Sequence, residues 1–170
     1  MDPALGANQV ADKAIDEIHD KGMKFVMNLP ISTTSTEHDW FLKSAKRSLP
    51  ENKNYSGFYH WGAKGAADYF TKHEKEYYMH EKGNKKAAVL NWQNSDLRSH
   101  MFTRNMLQEV LSSWIDRGVD GFHLTGIEYL ARTVDGSEPD WSAISDVIGD
   151  IRNHVDSYTN ESTKAAGKKM

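Results

Sequence analysis

Cysteine is absent from the 170 residues, which excludes disulfides, zinc ribbons and thiol catalysis at once and leaves the redox compartment open. No charge of one sign dominates. Lys and Arg total 21 against 24 Asp and Glu, a net charge of −3, so the basic surplus of a nucleic-acid footprint is missing. Long apolar runs are missing too. The longest stretch without a charged side chain is the 12 residues from Phe25 to Thr36, whereas a membrane span takes about 20 apolar residues. Met1-Asp2-Pro3 opens acidic with no apolar segment behind it, so there is no signal-peptide pattern. What is present is an apolar share of 38 % with 12 glycines, enough to exclude a wholly disordered or collagen-like chain. The length fits one domain or part of a larger one.

Helical spacing of Val10, Ala11, Ala14, Ile15 and Ile18 predicts a helix from Asn8 to Lys21, stopped by Gly22. Lys24 to Leu29 reads as a short buried strand ended by Pro30. Ser95 offers an N-cap to a helix running to Gly118, followed by a second strand from Val119 to Thr125 and a helix from Trp141 to Val155. This alternation implies an α/β chain with parallel strands and right-handed crossovers. The excursion from Pro30 to Asn94 is far longer than the usual connection of about 4–6 residues. Its aromatics, among them Trp40, Phe41, Phe58, Tyr59, Trp61, Tyr78 and Trp92, can build a small core of their own.

Several runs resemble the catalytic domain of the α-amylase superfamily, glycoside hydrolase family 13. Gly22-Met23-Lys24-Phe25-Val26-Met27-Asn28-Leu29 is similar to the family's third barrel strand, and Asp2-Pro3-Ala4-Leu5-Gly6 to the segment before its second barrel helix. Glu37-His38-Asp39-Trp40-Phe41, Tyr59-His60-Trp61 and Leu90-Asn91-Trp92-Gln93-Asn94 follow its inserted B domain. Trp114 to Phe122, ending in Gly-Val-Asp-Gly-Phe, resembles the approach to its fourth strand. The resemblance implies a segment of a (β/α)8 TIM barrel, about strands 3 and 4, since a whole barrel takes about 250 residues. It divides the chain into a barrel helix and strand (1–29), an inserted B-like subdomain (30–94), a barrel helix, strand and helix (95–158) and a flexible tail (159–170).

Barrel sites lie at the C-terminal ends of strands, and retaining glycosidases need two carboxyl groups about 5–5.5 Å apart, one of them an anionic nucleophile. The family's nucleophilic aspartate ends the fourth strand, two residues after an arginine. The matching positions here hold Thr125 and His123. The family's third strand carries an aspartate and then an asparagine–histidine pair beside a calcium site. Here Asn28, Ser32 and Thr33 stand there. The aspartate of the B-domain motif ending in Leu-Asn is matched by Val89. The resemblance therefore implies a degenerate site with no catalytic residue, no metal and no cofactor in this segment. The acid/base glutamate and last aspartate are expected on later strands.

Other titratable groups read as structural. Glu128, three residues past Thr125, reads as a solvated loop carboxylate, because catalytic groups need placement within roughly 0.5 Å. His73, Glu74, His80 and Glu81 fit no strong metal-ligand spacing and read as a surface face. His123 reads as a satisfied barrel-interior histidine, and Lys82, Lys85 and Lys86 as a solvated turn. Asn54-Tyr55-Ser56 and Asn160-Glu161-Ser162 fit the N-glycosylation acceptor pattern.

An amylase fold with its catalytic set removed is similar to the heavy-chain glycoproteins of heteromeric amino-acid transporters, which the run from Gly118 to Leu130 also resembles. That resemblance implies a non-catalytic ectodomain that escorts a multispanning transporter light chain, on the extracellular face of the plasma membrane within a single-span type II protein. The competing expectation is an active α-glucosidase or α-amylase, or a sugar-binding pseudoenzyme. Two strands do not close a barrel, so the isolated segment is expected to be marginal alone, to self-associate or to rearrange.

Overall fold

The computed structural model describes residues 8–62, 68–102, 106–133, 138–161 and 170. Helix α1, Asn8–Asp20, turns its face inward through Ile15, which is buried, while Val10 and Ala14 of the expected apolar stripe are exposed. Gly22 ends it at φ +71. The Gly22 N–H bonds His19 O at 2.8 Å and the Met23 N–H bonds Ile18 O at 3.2 Å, the paired closure that a left-handed glycine permits.

Strand β1 is Val26–Pro30. It includes Pro30, which was expected to terminate it. As the last residue of an edge strand, the proline gives up no ladder bond that the strand needs. The insertion comes next in the chain with β2 (Thr33–Ser35), helix α2 (Asp39–Ala45), a 3-10 helix (Pro50–Tyr55) and β3 (Trp61–Gly62). Then follow β4 (Phe70–His73), β5 (Glu76–Glu81) and β6 (Asn84–Val89). Together they form a five-stranded sheet ordered β2-β6-β5-β3, with β4 also on β5 and every pairing antiparallel.

The helix expected from Ser95 to Gly118 is described as α3 (Ser95–Phe102) and α4 (Met106–Asp116). Strand β7 is Gly121–Thr125, a 3-10 helix covers Ile127–Ala131, and α5 is Trp141–Glu161. Helix α5 runs six residues beyond the expected stop at Val155, so 159–161 are helical and not tail. The Thr159 hydroxyl bonds Val155 O at 2.9 Å, and Tyr158 donates to Asp116 at 2.7 Å. At its start, Asp140 Oδ1 accepts the Ser142 and Ala143 N–H groups at 3.0 and 3.1 Å.

β1 and β7 pair in parallel as a two-stranded sheet, with Val26 opposite Gly121, Asn28 opposite His123 and Pro30 opposite Thr125. Met27 and Leu29 turn toward the helices, whereas Val26, Asn28 and Pro30 lie on an open face, Val26 being 57 % exposed. Below the strands, Asp120 closes the two loops that feed them. Its carboxylate accepts the Phe25 N–H at 2.9 Å and Lys24 Nζ at 3.1 Å, and meets His19 Nε2 at 2.7 Å. The Asp120 N–H in turn donates to Phe25 O at 2.8 Å.

The insertion does not keep a core to itself. One apolar cluster runs from Phe41, Phe58 and Tyr78 through Leu90 and Trp92 to Leu111, Ile115, Val147 and Val155. Within it Phe41 meets Tyr59, Trp61 and Tyr78 with ring centroids 5.3, 5.2 and 4.9 Å apart. Trp92 is fully buried and donates its indole N–H to Ile31 O at 2.9 Å, which welds the end of the insertion to the end of β1.

Candidate functional site

The strand ends assemble most of the positions singled out in the sequence. Asn28 and His123 are cross-strand partners, and Thr125 lies opposite Pro30. Two residues on, Ser32 is buried and its carbonyl accepts the Leu90 N–H at 2.9 Å. Thr33 pairs with Val89 across β2 and β6. Gly126 follows Thr125 at φ +68, and a Cβ there would stand 2.6 Å from Ser32 Oγ, so the glycine and the small serine fix each other's choice.

Two of these positions depart from the expected picture. His123 is exposed and not a satisfied interior side chain, because the face it shares with Asn28 has only two strands. Val89 is turned away from the rim into a separate apolar cluster with Phe70, Met79 and Tyr129. A carboxylate at that position would be desolvated among them.

Chemically, the rim offers an amide, hydroxyls and an imidazole. No residue from Val26 to Ser35 or from Gly121 to Ile127 is acidic. Glu128, partly exposed, sits one residue into the 3-10 helix that follows β7. Its neighbour Tyr129 is buried, and burial pushes the Tyr129 hydroxyl up. The bond from the Lys82 N–H at 2.9 Å works against this, and the charge of Glu128 adds to it.

The sequence pattern gave no sign of several polar groups in the insertion. Thr34 Oγ1 and the Tyr59 hydroxyl lie 2.7 Å apart, and burial raises the Tyr59 hydroxyl while Thr34 opposes the shift. His80 is buried at 2 % exposure, which corrects its reading as part of a surface face. Strand alternation places it with Tyr78 on the inner side of β5, and its Nδ1–H donates to Glu81 O at 2.8 Å. Lys85 and Lys86, expected in a turn, are exposed residues of β6. Of the two acceptor triplets, Asn54 is exposed on the 3-10 helix Pro50–Tyr55, and Asn160 lies in α5 with Ser162 outside the described residues.

His60 carries a pH signature. Burial pushes its imidazole down to about 4 from an ordinary 6.5. The unfolded chain therefore takes up a proton that the folded chain refuses, and stability is expected to fall as pH drops from about 6.5 to 4. The slope is at most about 1.4 kcal/mol per pH unit. Histidine titration by NMR, with urea melts of the wild type and His60→Gln across that range, checks it. An imidazole titrating near 6.5, or an equal slope in the variant, would refute it.

Comparison with known proteins places this geometry. The alpha-amylase model, "Alpha amylase, catalytic domain", matches residues 1–166. The oligo-1,6-glucosidase of Heyndrickxia coagulans is 30 % identical over 150 residues, covering 79 % of this chain and 25 % of that protein. The oligo-1,6-glucosidase of Halalkalibacterium halodurans is 33 % identical over 134 residues, covering 71 % and 22 %. The chain thus spans about a quarter of the length of the curated relatives it matches. Among solved structures, Eubacterium rectale Amy13B superposes with a TM-score of 0.69 at 24 % identity, over 89 % of this chain and 28 % of that one. Bacillus licheniformis trehalose-6-phosphate hydrolase gives 0.66 at 25 %, over 86 % and 29 %.

The architecture is accordingly a segment of an α/β barrel with its insertion. These relatives are glycoside-cleaving enzymes by name, and nothing among them points to a transporter heavy chain. The expected extracellular placement on a type II membrane protein is overturned by the match to bacterial oligo-1,6-glucosidases. Among the described residues, no helix is long and apolar enough to cross a membrane.

Proposed function

The chain belongs to the alpha-amylase catalytic-domain family, and on that premise we propose that it recognises α-glucosides at a rim that has lost the family's hydrolytic chemistry. Its oligo-1,6-glucosidase relatives support α-1,6-linked glucosides as the ligand class. One observation carries the loss of chemistry: Thr125 closes β7, and neither strand end holds an acidic residue. Double displacement needs an anion that attacks the anomeric carbon and balances the positive charge of the oxocarbenium-like transition state. A neutral hydroxyl does neither. The amide of Asn28, the hydroxyl of Thr33 and the ring of His123 are suited to hydrogen bonds with sugar hydroxyls.

Restoring the acid alone is expected to fail. In the full-length protein, Thr125→Asp should leave turnover of 4-nitrophenyl α-glucoside within about tenfold of the unaltered protein, far below the 10⁶-fold or greater acceleration of a working enzyme. Asn28, His123 and Val89 remain as they are, and Gly126 holds the chain after Thr125 in a left-handed turn against Ser32. Calorimetry should show isomaltose binding without turnover.

Because the relatives hydrolyse glycosides by name, a second reading is hydrolysis with a recruited carboxylate, and Glu128 is the nearest one in sequence. Turnover by the full-length protein that Glu128→Gln abolishes would establish it and reject the first reading.

A further inference from the structure

Among the described residues, strand β7 pairs with β1 alone, so its other edge carries backbone groups that no ladder uses. A free edge is a template for another strand, and proteins guard such edges with proline, with charged side chains or with a bulge. β1 is guarded. It holds Pro30, which has no N–H to offer an incoming strand. β7 is not. Gly121-Phe122-His123-Leu124-Thr125 contains no proline and no Asp, Glu, Lys or Arg, and its register against β1 runs without a bulge.

Beneath the open edge lies an apolar cavity of about 210 Å³. Phe122 and Leu124 of β7 line it with Ile148, Ile151 and Val155 of α5, and Met170, packed against the same cluster, leaves it open. No residue of β1 lines it, so it lies on the side of β7 away from β1.

Symmetry and charge select the strand that completes this edge. An identical edge, run antiparallel about a two-fold axis normal to the sheet, offers a donor for each acceptor. It keeps Phe122 and Leu124 of both copies on the helix side, over the two cavities. With no formally charged residue on either strand, nothing repels the approach. Pairing of β7 with the β1 edge of another copy would instead meet Pro30 and propagate into open chains.

We propose that the open edge of β7 is a docking surface for a second copy of this chain, giving a two-fold dimer with one continuous sheet ordered β1-β7-β7-β1. The strands run in opposite directions across the axis, so the two rims lie at opposite ends of the dimer. The proposal is independent of the α-glucoside reading.

Sedimentation velocity on the 170-residue chain from about 1 to 100 μM, with hydrogen exchange at both ends of that range, tests it. The expected result is a monomer–dimer equilibrium. The β7 amides that the ladder to β1 leaves free should exchange more slowly as concentration rises, and those of β1 should not change. His123 is exposed at the centre of β7, and Asn28, its exposed cross-strand partner, lies on the same face of β1. His123→Lys sets like charges about 5 Å apart across the axis and should weaken dimerisation at least about tenfold. Asn28→Lys adds the same charge one strand further out, which leaves the two lysines about 14 Å apart and screened by salt. It should change dimerisation less than about twofold. Circular dichroism verifies that both variants fold. A chain that stays monomeric overturns the proposal, and slow β7 exchange in that monomer would show the edge covered within one chain. Assemblies larger than a dimer, or equal effects of the two lysines, overturn it as well.

Discussion

Alanine in place of Asp120 should lower the unfolding free energy by about 2–4 kcal/mol, seen as a lower urea midpoint. The Asp120 carboxylate is 8 % exposed and receives three groups from the α1–β1 region: His19, Lys24 and the Phe25 N–H. Removing it strands a backbone donor and uncouples the approaches to both parallel strands. The contributions are unequal. Lys24 is 77 % exposed on its side chain, so Lys24→Ala should shift stability by no more than about 0.5 kcal/mol. Asp120→Asn keeps an acceptor for the Phe25 N–H and should cost about 1–2 kcal/mol. A midpoint for Asp120→Ala indistinguishable from wild type would show that the loops are held by something else.

A single added methyl at position 57 is expected to be nearly as damaging. The Cβ of Gly57→Ala would stand 2.2 Å from Asn94 Nδ2 and 2.7 Å from its Cγ. Asn94 has little freedom to withdraw, because its Oδ1 caps α3 by accepting the Asp96 and Leu97 N–H groups, both at 3.0 Å. Relief of the clash would sacrifice the cap, worth about 1 kcal/mol, and displace packed backbone at about 1–3 kcal/mol. Together these predict a loss of about 2–4 kcal/mol. The double variant Gly57→Ala with Asn94→Ser should recover part of it, since serine caps with a shorter side chain. A neutral single variant, or no recovery in the double, would contradict this account.

The sequence made the barrel part of the fold legible because its signals are local. Helical spacing and a following Gly22 mark α1, and the run from Val119 to Thr125 after Gly118 marks β7. The rim positions were legible for another reason. Asn28, Ser32, Thr33, His123 and Thr125 sit in runs whose order mirrors the family's, and parallel pairing then brings Asn28 against His123. Positions that depend on distant neighbours stayed hidden. Val89 reads as a rim residue, yet Phe70, Met79 and Tyr129 draw it into their own cluster. His80 looks like a surface histidine until β6 is laid beside β5 and places it opposite the buried Ala88. The end of α5 was hidden by composition. Tyr158 and Thr159 are mediocre helix formers, and only the hydroxyl bonds to Asp116 and Val155 show why the helix continues.

The carboxylate of Asp120 and the hydroxyl of Thr125 stand at opposite ends of one short strand. The five residues of β7 separate base from rim by roughly 13–16 Å, at ~3.3 Å per residue. What anchors this architecture thus lies apart from the rim where the proposed sugar site sits. Substitutions at the upper end therefore leave the carboxylate that ties the two loops below untouched.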